Sequence, residues 1–232
     1  MSEIDAGLTA AADPSRAERE RSYLKSTLGH LGCSVPAIRS VAVSFRRGHP
    51  ELSHSELVSL VEELWSHPVH EHRMACVELL AQFQTLLSAD DMMLLERLLR
   101  EARTWAIVDG LSTSVVGRVV ERDGDAADVL DRWSTDDDCW IRRASLLALL
   151  VPLRRGAGDF DRFGRYADCM LDEQEFFIRK AIGWVLRDTA KKRPDLVLEW
   201  LLPRCARASG VTIREAIKPL TEAQRQSILD AR

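Results

Sequence analysis

The chain has 232 residues, 46% of them hydrophobic and 29% charged, with a formal net charge of −4 at neutral pH. That balance excludes a wholly disordered chain, and the length allows one large domain or two small ones. No stretch reaches the roughly eighteen unbroken apolar residues that a transmembrane helix requires.

The N-terminus, MSEIDAGLTAAADPSRAERERS, has no basic segment followed by an apolar core, so no secretory signal is expected. Its first fourteen residues are small and polar and are expected to form a mobile tail, with residues 15–232 as a single domain. From about Ser15 the apolar period is helical. In 56–65, Leu57, Leu60, Val61 and Leu64 fall on one stripe. Segments 74–87 and 92–99 repeat the pattern. Segment 106–120 reads as a helix weakened by glycine and serine. Further helices are expected over 125–133, 138–151, 159–171, 174–192, 194–202 and 212–218. Turn signals such as His67-Pro68, Asp123-Gly124, Arg193-Pro194 and Ser209-Gly210 separate them. No segment shows strand alternation between hairpin turns, so the expected fold is all-α.

One echo runs through the second half. Trp140-Ile141-Arg142-Arg143-Ala144 matches Phe177-Ile178-Arg179-Lys180-Ala181, and Ile213-Arg214-Glu215-Ala216 is a weaker third copy. Spacing of this kind marks stacked helix pairs, so a curved helical-repeat solenoid with a concave basic side is expected. The charge is uneven in the same sense. Residues 1–138 hold 14 Lys and Arg against 24 Asp and Glu, whereas residues 139–219 hold 16 against 10. A polyanionic partner would meet the C-terminal half.

The five cysteines (Cys33, Cys76, Cys139, Cys169, Cys205) are scattered, with no CxxC pair. That argues against a disulfide framework or a structural zinc site, and for a reducing, cytoplasmic setting. His67, His70 and His72 lack a partner set at ligand spacing, so no metal is expected. No phosphate-binding glycine loop appears, so no nucleotide cofactor is expected. Trp105 and Asp109 are four apart and would share a helix face, about 5–6 Å between Cβ atoms. Trp184 lies between Lys180 and Arg187, and Trp140 beside Arg143. Indoles next to basic groups suit a nucleic-acid surface, although core packing accounts for most tryptophans.

Together these segments resemble the HEAT-repeat DNA alkylpurine glycosylases, the AlkD type of DNA alkylation repair enzyme. The resemblance runs from about Tyr23 to Lys218. It is carried by YLKSTLGHLGCSVPAIR (23–39), ELWSHPVHEHRMACVELL (63–80), TWAIVDGLS (104–112), DDDCWIRRASLLALL (136–150), FFIRKAIGWVLRDTAKKRPD (176–195) and IREAIK (213–218). It implies that Trp105 and Asp109 are the catalytic tryptophan and aspartate, with Trp184 the second cleft tryptophan. Arg143 would grip a phosphate and Tyr23 would be a cleft aromatic. Lys25, Arg39, Arg142, Arg179, Lys180, Arg187, Arg214 and Lys218 would face DNA. The chain departs from the pattern at Leu28 and His30, where phenylalanines are frequent, at Thr104, where a second tryptophan is, and at Ala106, where a second acid is. The implied activity is cofactor-free hydrolysis of the N-glycosidic bond of cationic N3- or N7-alkylated purines in duplex DNA, by a monomer. The alternatives are a non-catalytic HEAT-repeat scaffold and a glycosylase specialised for bulky adducts in self-resistance.

Overall fold

The computed structural model describes residues 1–232. The fold is all-α. Its only bridge between extended segments is an isolated one, Gly29 to Val69. No helix is long and apolar enough to cross a membrane. The chain divides into two compact units, Met1–Val119 and Val120–Arg232.

The first unit opens with helix α1 (Ser2–Ala10), inside the segment expected to be a tail. Two apolar residues one turn apart, Ile4 and Leu8, are enough to bury it against α3 (Val35–Gly48). The Cys33 thiol donates to the Leu8 carbonyl at 3.2 Å and ties the helix end down. Helix α2 (Pro14–Leu24) starts at an Asp13 cap followed by proline at the first helical position. Helix α4 (His54–Ser66) starts from a Ser53–Glu56 capping box. Helix α5 (His70–Gln82) packs against α3, α4 and α7 (Trp105–Gly110), and is buried on most of its faces. Helix α6 (Met92–Arg100) completes the apolar layer with Leu95, Leu98 and Leu99.

The segment read as one weakened helix has three parts: α7, a π-helical stretch Leu111–Val116, and α8 (Gly117–Arg122), within which the two units divide. The Ser112 hydroxyl donates to the Val108 carbonyl at 2.6 Å, and the Thr113 hydroxyl to the Asp109 carbonyl at 2.7 Å. Hydroxyls that bond four residues back compete with the helical ladder and loosen its winding, which accounts for the wider turn here.

The second unit comprises α9 (Gly124–Trp133), α10 (Cys139–Ala148), α11 (Leu150–Arg154), α12 (Phe160–Cys169), α13 (Phe176–Ala190), α14 (Pro194–Leu201), α15 (Gly210–Ala216) and α16 (Glu222–Asp230). The echoed segments open α10, α13 and α15. Their matching positions are buried in all three copies: Ile141, Ile178 and Ile213, and one turn later Ala144, Ala181 and Ala216. Helix α13 packs on α10, α11 and α15. Its approach to α15 needs Gly183, because a Cβ there would lie 2.8 Å from the Glu215 Cβ and 3.0 Å from the Thr212 carbonyl oxygen.

Gly183→Val is therefore expected to destabilise the protein by about 1–3 kcal/mol through overpacking, read as a lower urea midpoint. Gly124→Ala, at a position with nothing near the new Cβ, is the control.

Candidate functional site

In the first unit, α7 begins at Trp105 because the buried Thr104 caps it, accepting from the Ile107 N–H at 3.5 Å. A cap requires a short oxygen-bearing side chain. That is the physical counterpart of having threonine rather than tryptophan at this position. Trp105 meets Tyr23, the penultimate residue of α2, edge to face at 5.8 Å and 81°. Pairs of this geometry are worth about 0.5–1.5 kcal/mol beyond their buried area. Tyr23 is nonetheless 72% exposed, and the Trp105 ring is only partly buried. Tyr23 thus stays open to solvent beside a partly buried Trp105. Asp109 lies one turn further along α7, partly buried, with its backbone held by Thr113. Lys25 ends α2 in the left-handed conformation, with φ of 49°, and is exposed. Arg39 makes a fork to Glu78 at 3.0 and 2.9 Å, so its guanidinium is neutralised within the fold.

In the second unit, the Trp184 indole N–H donates to Asp188 at 3.1 Å. This is a second Trp-x-x-x-Asp, with the same spacing as Trp105 and Asp109. Here the acid is only 2% exposed. It also accepts from Arg154 at 2.8 Å, Lys191 at 2.7 Å and Arg187 at 3.4 Å. Burial alone would raise its pKa. The hydrogen bonds and positive charges of Lys191 and Arg154 outweigh that, and the carboxyl stays below the usual range. Three cations around one buried carboxylate leave a positive surplus beside an indole. Arg187 reaches further, to Glu215, whose other oxygen takes Lys218 at 2.7 Å.

The arginines of the echo are placed differently from the sequence expectation of one basic stripe. Arg142 forks onto Glu173 at 2.9 and 2.8 Å and also donates to the carbonyls of Asp136 and Asp137. Arg179 donates to the Glu173 carbonyl at 2.6 Å and to Gln174. Both reach back and pin the loop before their own helix. Arg143 is 2% exposed, donates to the Phe177 carbonyl, and lies 5.7 Å from the Phe177 ring, which also packs on Trp140. Lys180 is exposed over Phe176, and Arg214 is exposed on α15.

Tyr23, Trp105 and Asp109 are thus gathered by α2 and α7 in one unit, and Trp184 with Arg187 by α13 in the other. Asp188, Arg154 and Lys191 went unrecognised in the sequence. The repeated Trp-x-x-x-Asp spacing signals the first of them, but nothing local signals Arg154.

The fold is that of a DNA alkylation repair protein. It is similar to a predicted DNA alkylation repair enzyme from Enterococcus faecalis at 20% identity, with a TM-score of 0.79, covering 91% of this chain and 97% of that one. It is also similar to AlkD2 from Streptococcus mutans at 17% identity, with a TM-score of 0.63, covering 87% and 98%. No curated protein matches the sequence. The model of the DNA alkylation repair enzyme family matches residues 4–220, and the chain belongs to that family.

Asp188→Asn is expected to lower stability by about 1–3 kcal/mol at pH 7, since the buried acceptor loses its charge while its half-exposed cations resolvate. A carboxyl depressed in the folded state contributes stability above its unfolded pKa of about 3.9 and loses it as pH falls through the folded value. The gap between wild type and Asp188→Asn should therefore close below about pH 4 in urea titrations run from pH 7 to 3.

Proposed function

We propose that the protein is a monofunctional DNA glycosylase. Its substrates are cationic N3- or N7-alkylated purines in duplex DNA, and its product is an abasic site. Membership of the DNA alkylation repair enzyme family supports a reaction on alkylated DNA. The observation that carries the finer reading is the contact of exposed Tyr23 with Trp105, which begins the helix that also bears Asp109.

An alkylated purine is already positive, so it leaves as a neutral base without being protonated. The C1′–N bond breaks with its electron pair passing to the base. A water oxygen then bonds C1′ and its proton goes to solvent. What the protein must supply is stabilisation of the cationic, oxocarbenium-like sugar and a place for the water. The Asp109 carboxylate does both. The face of Trp105 attracts the positive sugar and base, worth roughly 0.5–2 kcal/mol, and Trp184 is the second unit's own aromatic contact to the DNA. Phosphates of the duplex are taken by the cationic groups beside these aromatics: Lys25 in the first unit, and Arg187, Lys180, Arg214 and Lys218 in the second. Neither a metal nor an organic cofactor enters this chemistry. A site of open aromatic faces suits a lesion excised from the duplex without enclosure in a pocket, in contrast to base-flipping enzymes.

The test is single-turnover excision of N7-methylguanine from a duplex oligonucleotide in EDTA. Asp109→Asn is expected to slow abasic-site formation by about 10²–10³-fold, the loss seen when one electrostatic stabiliser is removed, with DNA affinity little changed. Lengthening the alkyl group should leave the rate within an order of magnitude. Tight DNA binding without excision of any adduct would instead make the chain a scaffold, and a steep fall with adduct size would restore an enclosing pocket.

A further inference from the structure

At the foot of the first unit, Glu20, His30 and Glu71 bring one carboxylate oxygen, one ring nitrogen and one carboxylate oxygen within 4.8 Å of one another. The loop that carries His30 is unusually well fixed. On one side of the histidine, Gly29 donates to the Pro68 carbonyl at 2.8 Å and accepts from the His70 N–H at 2.9 Å. On the other side, Leu31 donates to Glu71 at 2.9 Å and accepts from the Asp13 N–H at 3.0 Å. Gly32, at φ of +83°, seats the loop against α2 so closely that a Cβ would lie 2.0 Å from the Asp13 carbonyl oxygen. The His30 ring itself is stacked on His70, with centroids 4.7 Å apart.

Within this rigid frame, polar atoms are left over. Both ring nitrogens of His30 and the Oε2 of Glu20 are shut off from solvent and have no hydrogen-bond partner. Buried polar atoms without partners are costly, and each one calls for a bound group. Glu71 is fully buried and accepts three backbone N–H groups: two on Oε1, from Gly32 at 2.6 Å and Cys33 at 3.2 Å, and one on Oε2, from Leu31. A carboxylate offers about four lone-pair sites, so one remains on Oε2.

We propose that these three residues form a binding site for a divalent transition metal, with zinc as the best-matched ion. One imidazole nitrogen and two carboxylate oxygens suit zinc, and water would complete a tetrahedron. Bonds of about 2.0–2.2 Å require the donors to close to about 3.4 Å from one another. That contraction falls mainly on the Glu20 side chain, since His30 and Glu71 are held by the backbone bonds above. The ion also settles the local charge, because two carboxylates meet two positive charges. Arg16, which approaches Glu20 at 3.5 Å, would swing outward. The role is structural. The ion cross-links α2 to the His30 loop and to the start of α5, and so stiffens the helix that presents Tyr23, three residues beyond Glu20. The inference does not depend on the glycosylase reading.

The experiment is titration of the chelator-treated full-length protein with zinc chloride, read by calorimetry, by metal analysis after dialysis, and by thermal melting. One zinc per chain is expected, with a rise in Tm of several degrees. Glu20→Gln and His30→Ala should each weaken binding by at least the roughly 10–100-fold that loss of even an outer-shell partner costs, with far-UV dichroism retained. Glu20→Gln keeps its shape on a part-exposed helix face and decides the matter should His30→Ala fail to fold. His67→Ala, which removes one member of the neighbouring stacked pair His67–His72, should leave binding intact. Absence of stoichiometric zinc at 100-fold excess, or binding that survives both Glu20→Gln and His30→Ala, would overturn the proposal and leave water as the buried partner.

Discussion

The carboxylate of Glu71 is fully buried, and its oxygens take three consecutive backbone N–H groups from Leu31 to Cys33. A charge in that position would be prohibitive without those donors, and the donors would be orphaned without the charge. The contact sets the course of the loop, the loop seats α2 through Gly32, and α2 brings Tyr23 to Trp105. The Tyr23–Trp105 pair at the candidate site thus depends on a polar contact made elsewhere in the same unit.

The second unit is organised in a similar way. Asp188 is a buried acid whose donors come from α11, from its own helix and from the turn that follows, and one of those donors is the Trp184 indole. In both units a tryptophan stands four residues before an aspartate, yet the two acids differ in burial, Asp188 being enclosed and Asp109 partly exposed. Asp188 is enclosed by cations and holds its indole by hydrogen bond. Asp109 sits partly open at the end of a helix whose winding then changes. Spacing alone does not distinguish these environments.

Arginine use illustrates the same division between pattern and placement. Arg142 and Arg179 occupy equivalent places in the echo and do equivalent work, since each folds back to hold the carbonyls or side chains of the loop before its helix. The repetition therefore encodes a way of fixing loops as much as a charged surface. Arg143 is taken inward by the Phe177 carbonyl and ring. Among the cations that the resemblance places toward DNA, Lys180, Arg214 and Lys218, together with Lys25 in the first unit, are exposed.

The sequence encodes the all-helical class, because apolar residues three and four apart have one economical solution, which is to bury a stripe on a neighbouring helix. It determined most helix starts as well, through Asp, Ser and Thr caps, and it determined the family, through motifs spread along nearly the whole chain. It also marked Trp105 and Asp109, whose shared face follows from helical geometry. The α1 helix was not legible, since Ile4 and Leu8 become a core only when α3 offers them a surface. Likewise, whether a charged residue is buried, paired or open was decided only by the tertiary structure. The free energy of a charge depends on which groups from distant segments reach it, and that information exists only after the chain has folded.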